Sequence, residues 1–297
     1  MDRKFILSLL NERVRHLPIL NENGCPVEII TWADIWKMPL VEPSLGGNEI
    51  KYVTDCIRTN WISSQGAFVE RFEREFANYH EMPHAVSCSS GTTALHLGLL
   101  ALGIGTGDEV IIPDLTFGAS INAVIHTGAT PVMVDIDSQS WNLDPHLVEK
   151  AITSRTKAIM TVHLYGLPCD MDCLKETAKK YNLSIIEDCA ESLGAEFKGR
   201  KMGTFGDVST FSFFANKTIT TGEGGMILTK NRDFANRMRL LRDHGMNPKK
   251  RYWHEEVGFN YRITNIQSAL GCAQLEQVNR FIKTRQDLAG IYQDGFE

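Results

Sequence analysis

The sequence predicts an α/β fold: a mostly parallel sheet with helices on both faces. Three observations carry this. Short apolar runs alternate with segments of helical periodicity from Pro43 to about Asp188, the pattern of βαβ units. The intervals are short, which implies right-handed crossovers and a parallel sheet buried on both sides. After Asp188 two apolar runs follow each other with no helix between them, which fits a hairpin or an antiparallel edge better than another crossover.

In chain order, apolar spacing predicts helices over 48–59 and 68–79, then a strand over 84–88. A helix over 89–103 opens with Ser-Ser-Gly-Thr-Thr. Strands over 109–112, 131–135, 158–162 and 183–187 alternate with helices over 118–126, 144–151 and 171–181. The late pair of strands is expected at 208–214 and 225–228. A helix follows over 233–243, and a last one begins near Thr264.

Composition sets outer limits. The 297 residues are 43% hydrophobic and 23% charged, enough for a sizeable core. The net charge of −5 and the lack of a basic run beyond Lys249-Lys250-Arg251 argue against a nucleic-acid or anionic-membrane binder. No stretch reaches the ~20 apolar residues of a membrane helix, so a cytoplasmic protein is expected. The seven scattered cysteines lack a zinc-type second pair, so no metal site is expected and reduced, mostly buried thiols are.

Residues 1–36 differ from the rest. Residues 17–31 read as strand, turn, strand, and resemble the tail of a regulatory CBS-type module ending at Asp34. A plain N-terminal extension is the other reading.

Four features fall at predicted strand ends, where parallel sheets bind ligands. Ser89-Ser90-Gly91-Thr92-Thr93 opens a helix, whose free N–H groups and positive dipole end suit a phosphate; an ordinary N-cap is the alternative. Asp188 ends an apolar strand, where a buried carboxylate calls for a cationic partner; Glu187 is the rival acid. Lys217 is expected to close the strand that contains Ser212, and a desolvated amine there suits Schiff-base chemistry; a snorkelling edge lysine is the alternative. The glycines of Thr221-Gly222-Glu223-Gly224-Gly225 suit a tight turn.

The order of these features resembles the DegT/DnrJ/EryC1/StrS family of sugar aminotransferases. The residues that carry the likeness include Asn60-Trp61-Ile62-Ser63-Ser64-Gln65-Gly66, Ser90-Gly91-Thr92-Thr93, Val162-His163-Leu164-Tyr165-Gly166, Glu187-Asp188-Cys189-Ala190-Glu191, Ser212-Phe213-Phe214-Ala215-Asn216-Lys217 and Gly258-Phe259-Asn260-Tyr261-Arg262. The likeness runs from about Pro39 to the end.

The resemblance implies a fold-type I transferase dependent on pyridoxal 5′-phosphate (PLP). It implies Lys217 as the Schiff-base lysine and Asp188 as the acid on the ring nitrogen. Phe117 would stack on the ring. Gly91, Thr92, Thr93 and Ser212 would hold the phosphate, and Glu191, at a position often Gln or His, would lie near the ring hydroxyl or the substrate. Asn260 would reach the cofactor phosphate of a neighbouring subunit, so a homodimer is implied.

The expected reaction moves an amino group, with glutamate as donor, to a nucleotide-linked 4-keto-6-deoxy sugar of the GDP-perosamine type. UDP- and dTDP-linked sugars are the nearby alternatives. Lysine at 217, where dehydrating relatives carry His, favours transamination. The resemblance also implies an N-terminal extension over 1–36, a large cofactor domain over 37–280, and from 281 the start of a linker to a small domain that the chain leaves incomplete. Two readings from other classes stand beside it: a catalytically idle regulatory relative, and an α/β ligand-binding protein without PLP in which Asp188 and Lys217 pair.

Overall fold

The computed structural model describes Leu9, residues 16–31 and residues 42–296. The chain divides into two compact units, Met1–Glu42 and Pro43–Glu297. The first contains β1 (His16–Leu20) and β2 (Pro26–Thr31), an antiparallel pair. Asn21 closes the turn by accepting from the amides of Asn23 and Cys25 with its side-chain oxygen. The strand–turn–strand reading therefore holds here; Asp34 and the expected boundary at 36/37 lie outside the described residues.

The second unit begins with α1 (Glu49–Arg58) and α2 (Ala67–Tyr79). The alternating part follows as β3 (His84–Cys88), α3 (Gly91–Ala101), β4 (Glu109–Pro113), α4 (Gly118–His126), β5 (Thr130–Val134), α5 (Pro145–Ala151), β6 (Thr156–Val162), α6 (Met171–Tyr181) and β7 (Ser184–Asp188). A two-residue pair, β8 (Glu196–Phe197) and β9 (Arg200–Lys201), precedes β10 (Val208–Ser212) and β11 (Gly225–Thr229). The chain then runs through α7 (Arg232–Arg242), α8 (Asn265–Leu275) and α9 (Val278–Phe296).

Seven strands form one sheet in the order β3-β11-β10-β7-β6-β4-β5. Only β11 runs against its neighbours, pairing antiparallel with β10 and with β3. The expected mostly parallel α/β sheet is therefore present. The expected hairpin is present too, but β11 is not an edge: β3, far earlier in the chain, covers its outer side.

Alternation along each strand builds two cores. Ile111, Ile159 and Phe211 face one side with Phe72, Phe76 and Leu174. Val110, Ile112, Met160 and Ile186 face the other with Leu97, Leu99 and Met238. Helix starts follow capping rules: Ser90 and Thr264 each close a reciprocal capping box, and Asp170 caps α6 through the amides of Asp172 and Cys173. Five of the seven cysteines are buried and none is bonded to another. No helix among the described residues is long and apolar enough to cross a membrane.

Candidate active site

The register of the parallel strands brings the chemistry together. Val162 at the end of β6 and Thr210 near the end of β10 both pair with Asp188 at the end of β7. Around these ends, with the start of α3, opens a cavity of about 590 Å³.

Gly91 and Thr92 form its phosphate-like corner. Ser90 is the N-cap, with its side chain accepting from the Thr93 amide. The Gly91 and Thr92 amides stand in the first turn, where a helix has no internal acceptor to offer. Two glycines make this corner narrow. A Cβ on Gly91 would lie 2.8 Å from the Ser212 Cβ, and one on Gly225 only 2.3 Å from the Ser90 carbonyl oxygen. Strand β11 thus runs against the capping turn, and Ser212 comes up to the helix start.

Asp188 is 6% exposed and lines the cavity. One carboxylate oxygen accepts from Ser120 Oγ at 3.1 Å and the other from the Ala190 amide at 3.1 Å. Burial raises its pKa, against the lowering effect of those two donors and of His163 and Lys217. Thr116 extends the chain of hydroxyls, 2.8 Å from Ser120.

Glu187 points to the opposite side of the strand. It is fully buried and accepts from His163 at 3.3 Å and from the amides of Gly203, Phe205 and Gly206 at 2.9, 2.8 and 2.6 Å. Burial alone would raise its pKa; His163 and those amides outweigh it and the carboxyl is lowered. The Cys169 amide donates to His163 Nδ1, so that nitrogen keeps its lone pair and the ring proton belongs on Nε2, toward Glu187. His163, Glu187 and Cys189 lie close enough to share an ion. A metal there would strip Glu187 of amide donors it already satisfies, so the cluster reads as a structural network. Of the two rival acids, Asp188 is the one the cavity presents.

Lys217 also lines the cavity. It does not close a strand, as the sequence suggested: β10 stops at Ser212 and Lys217 sits in the following turn, its amide donating to the Phe214 carbonyl. Its side chain is 20% exposed, and Nζ faces Glu191 Oε1 at 3.6 Å. Phe117 stands at the start of α4, 80% exposed over the cavity.

The cavity therefore gathers Gly91, Thr92, Phe117, Asp188, Glu191, Ser212 and Lys217. Two expected contacts lie elsewhere. The Thr93 hydroxyl turns back to Ser90 as half of the capping box, so its role is to shape the corner. Asn260 is exposed and outside the lining, accepting from Arg262 at 3.1 Å. Sequence reasoning missed Ser120, which nothing marks out within an ordinary helix, and the Tyr165 backbone, whose left-handed φ of 52° no motif of a non-glycine residue announces.

A model of the DegT/DnrJ/EryC1/StrS aminotransferase family matches residues 43–297. The chain belongs to this family. Among relatives of the DegT/DnrJ/EryC1/StrS chains, GDP-perosamine synthase of Caulobacter vibrioides is 55% identical over 88% of this chain and 70% of its own length. GDP-perosamine synthase of Escherichia coli O157:H7 is 51% identical over 86% of this chain and 70% of its own. Among solved structures, Spr1654 of Streptococcus pneumoniae, in its PLP form, superposes with a TM-score of 0.83 at 34% identity, covering 88% of this chain and 72% of that one. The mostly parallel sheet described above is thus the fold of a DegT/DnrJ/EryC1/StrS aminotransferase.

Proposed function

We propose that the chain is a PLP-dependent aminotransferase that aminates a GDP-linked 4-keto-6-deoxy sugar, with glutamate as amino donor. The observation that carries this reading is the convergence of Lys217, Asp188 and the free amides of α3 on one cavity. The similarity to GDP-perosamine synthases, at 51% and 55% identity, supports the GDP-linked substrate.

The residues fit the cofactor. Its phosphate suits the Gly91 and Thr92 amides at the positive end of α3, with Ser212 as a further donor. Asp188, buried with neutral donors on both oxygens and His163 and Lys217 further off, suits a protonated ring nitrogen. The exposed face of Phe117 suits a planar ring. When bound, PLP supplies the electron sink and the carbon that carries nitrogen from donor to acceptor.

The chain's own residues do the rest. Asp188 keeps a cation facing it protonated, and Ser120 and the Ala190 amide hold that carboxylate in place. Lys217 supplies the only lysine amine in the lining among the described residues, so it both tethers the cofactor and, when free, carries protons at Nζ. We infer a homodimer with shared sites; that Asn260 is exposed and outside its own cavity supports this reading. The free thiols and the use of a sugar nucleotide support a cytoplasmic setting.

The test is to incubate the chain with PLP, glutamate and a panel of GDP-, UDP- and dTDP-linked 4-keto sugars. Mass spectrometry should show the GDP-linked sugar exchanging oxygen for an amine. Amination of only a UDP- or dTDP-linked sugar would reassign the substrate, and amination of none would remove the proposal.

A further inference from the structure

Both carboxylate oxygens of Glu191 face a polar partner. Its Oε2 accepts from the Tyr165 amide at 2.8 Å, and its Oε1 faces Lys217 Nζ at 3.6 Å. Tyr165 aims that amide from a left-handed conformation, φ 52°, unfavourable for a residue with a side chain. Gly166 follows at φ 87°, and a Cβ there would come within 3.3 Å of the Glu191 carbonyl oxygen. Asn142, 3% exposed, clamps the same loop: it accepts from the Leu164 amide and donates to the carbonyls of Leu167 and Pro168. A braced loop thus fixes one carboxylate oxygen and leaves the other toward the lysine.

Donor chemistry decides what that second oxygen does. An ionised carboxylate only accepts hydrogen bonds, and so does an ionised ring hydroxyl. Gln or His can donate to such an oxygen, but an ionised Glu cannot. An ammonium only donates, and Lys217 is the ammonium at hand. Asp188, Glu223 and the Arg285 guanidinium also lie near this lysine among the described residues. Asp188 is occupied by Ser120 and the Ala190 amide, Arg285 donates to the Lys217 carbonyl at 3.3 Å, and Glu223 lies in the same lining.

We propose that Glu191 is the positioning residue for Lys217: its carboxylate, held by the Tyr165 loop, aims the lysine amine into the cavity and thereby sets how readily that amine captures an aldehyde. The proposal rests on the cofactor reading above. In the capture step the lysine nitrogen forms a C=N bond to the aldehyde carbon. The aldehyde oxygen leaves as water with two hydrogens from the ammonium, and the positive charge stays on nitrogen.

Pyridoxamine phosphate (PMP) separates this role from an ordinary cofactor contact, because it fills the same pocket but has no aldehyde. The affinities of the apo chain and of Glu191→Gln for PLP and for PMP are measured by titration, with the ~420 nm band as the sign of covalent capture by the lysine. Glu191→Gln should lose PLP affinity about two- to fivefold, as expected for a partly exposed ion pair. Its PMP affinity should be unchanged, and Glu191→Asp should recover part of the loss. If PLP and PMP weaken together, Glu191 contacts the cofactor or supports the fold, and the proposal is wrong. It is equally wrong if neither changes. A wild-type chain that captures no PLP would overturn the cofactor reading itself, which the wild-type arm reports separately.

Discussion

Replacing Gly91 by Ala tests the narrow corner where α3 meets β10. The new methyl would lie 2.8 Å from the Ser212 Cβ and 3.1 Å from its hydroxyl, with the Ser212 Cα at 3.4 Å. The first two approaches are too close and the third is ordinary contact. Overpacking of this kind costs about 1–3 kcal/mol, set against a gain of up to about 1 kcal/mol from the better helix former. Adding Ser212→Gly removes the two offending atoms and leaves only the tolerable one. The pair should therefore couple: the double variant should be about 1–2 kcal/mol more stable than the sum of the single changes predicts. Urea unfolding of the four chains measures this. Gly225→Ala is the control, because its methyl would meet the Ser90 backbone at 2.3 Å and no side-chain change can relieve it. Additivity of Gly91→Ala and Ser212→Gly within about 0.5 kcal/mol would refute the packing argument.

Three further outcomes follow from buried titratable groups. His80 is 3% exposed between Phe76 and Phe211, and burial pulls its pKa down to about 4. The unfolded chain therefore takes up this proton first, and stability is lost as pH falls from about 6.5 toward 4, by about 3 kcal/mol; His80→Phe should flatten that slope in melts across the range. Asp188 has a raised pKa, so its contribution is present at low pH and lost as pH rises through the folded value. Asp188→Asn should make the apo chain melt roughly 2–4 °C higher at neutral pH, a gain of about 1 kcal/mol, while weakening PLP binding. An apo variant that melts lower would contradict this. Glu187 has a lowered pKa, so its stabilisation is present above the ordinary carboxylate range and is lost as pH falls through the folded value. Glu187→Gln leaves three amides sharing one oxygen and should cost about 3–5 kcal/mol in urea unfolding; a loss under 1 kcal/mol would show that the amides find other partners.

Local signals carried most of the fold. The apolar runs at Val110-Ile111-Ile112 and Ile185-Ile186 mark strands whose neighbours lie on both faces, and the caps at Asp170 and Thr264 mark helix starts. The interior position of β11 was not legible, because its outer neighbour β3 lies well over a hundred residues earlier and pairing at that distance leaves no local trace. Asp188 could be found because a carboxylate after an apolar strand is conspicuous. Glu187 could be set aside only from the structure, since its satisfaction depends on three amides of a loop sixteen to nineteen residues on. Lys217 lines the cavity, as its sequence context suggests, but does not end a strand. The strand breaks early because Phe213 exchanges backbone bonds with Gly224 and Thr221, and the chain loops out between them. The resemblance matches the Thr93 hydroxyl to a phosphate contact, whereas the capping box claims it first.

The central claim is that the Lys217 amine and the Asp188 carboxylate serve one ring in one cavity. Borohydride reduction of the PLP-loaded chain, followed by peptide mapping, tests it most directly. The account predicts a single reduced adduct on Lys217, with its yield at limiting PLP lowered in Asp188→Asn. An adduct spread over surface lysines, or a Lys217 left unlabelled, would contradict it.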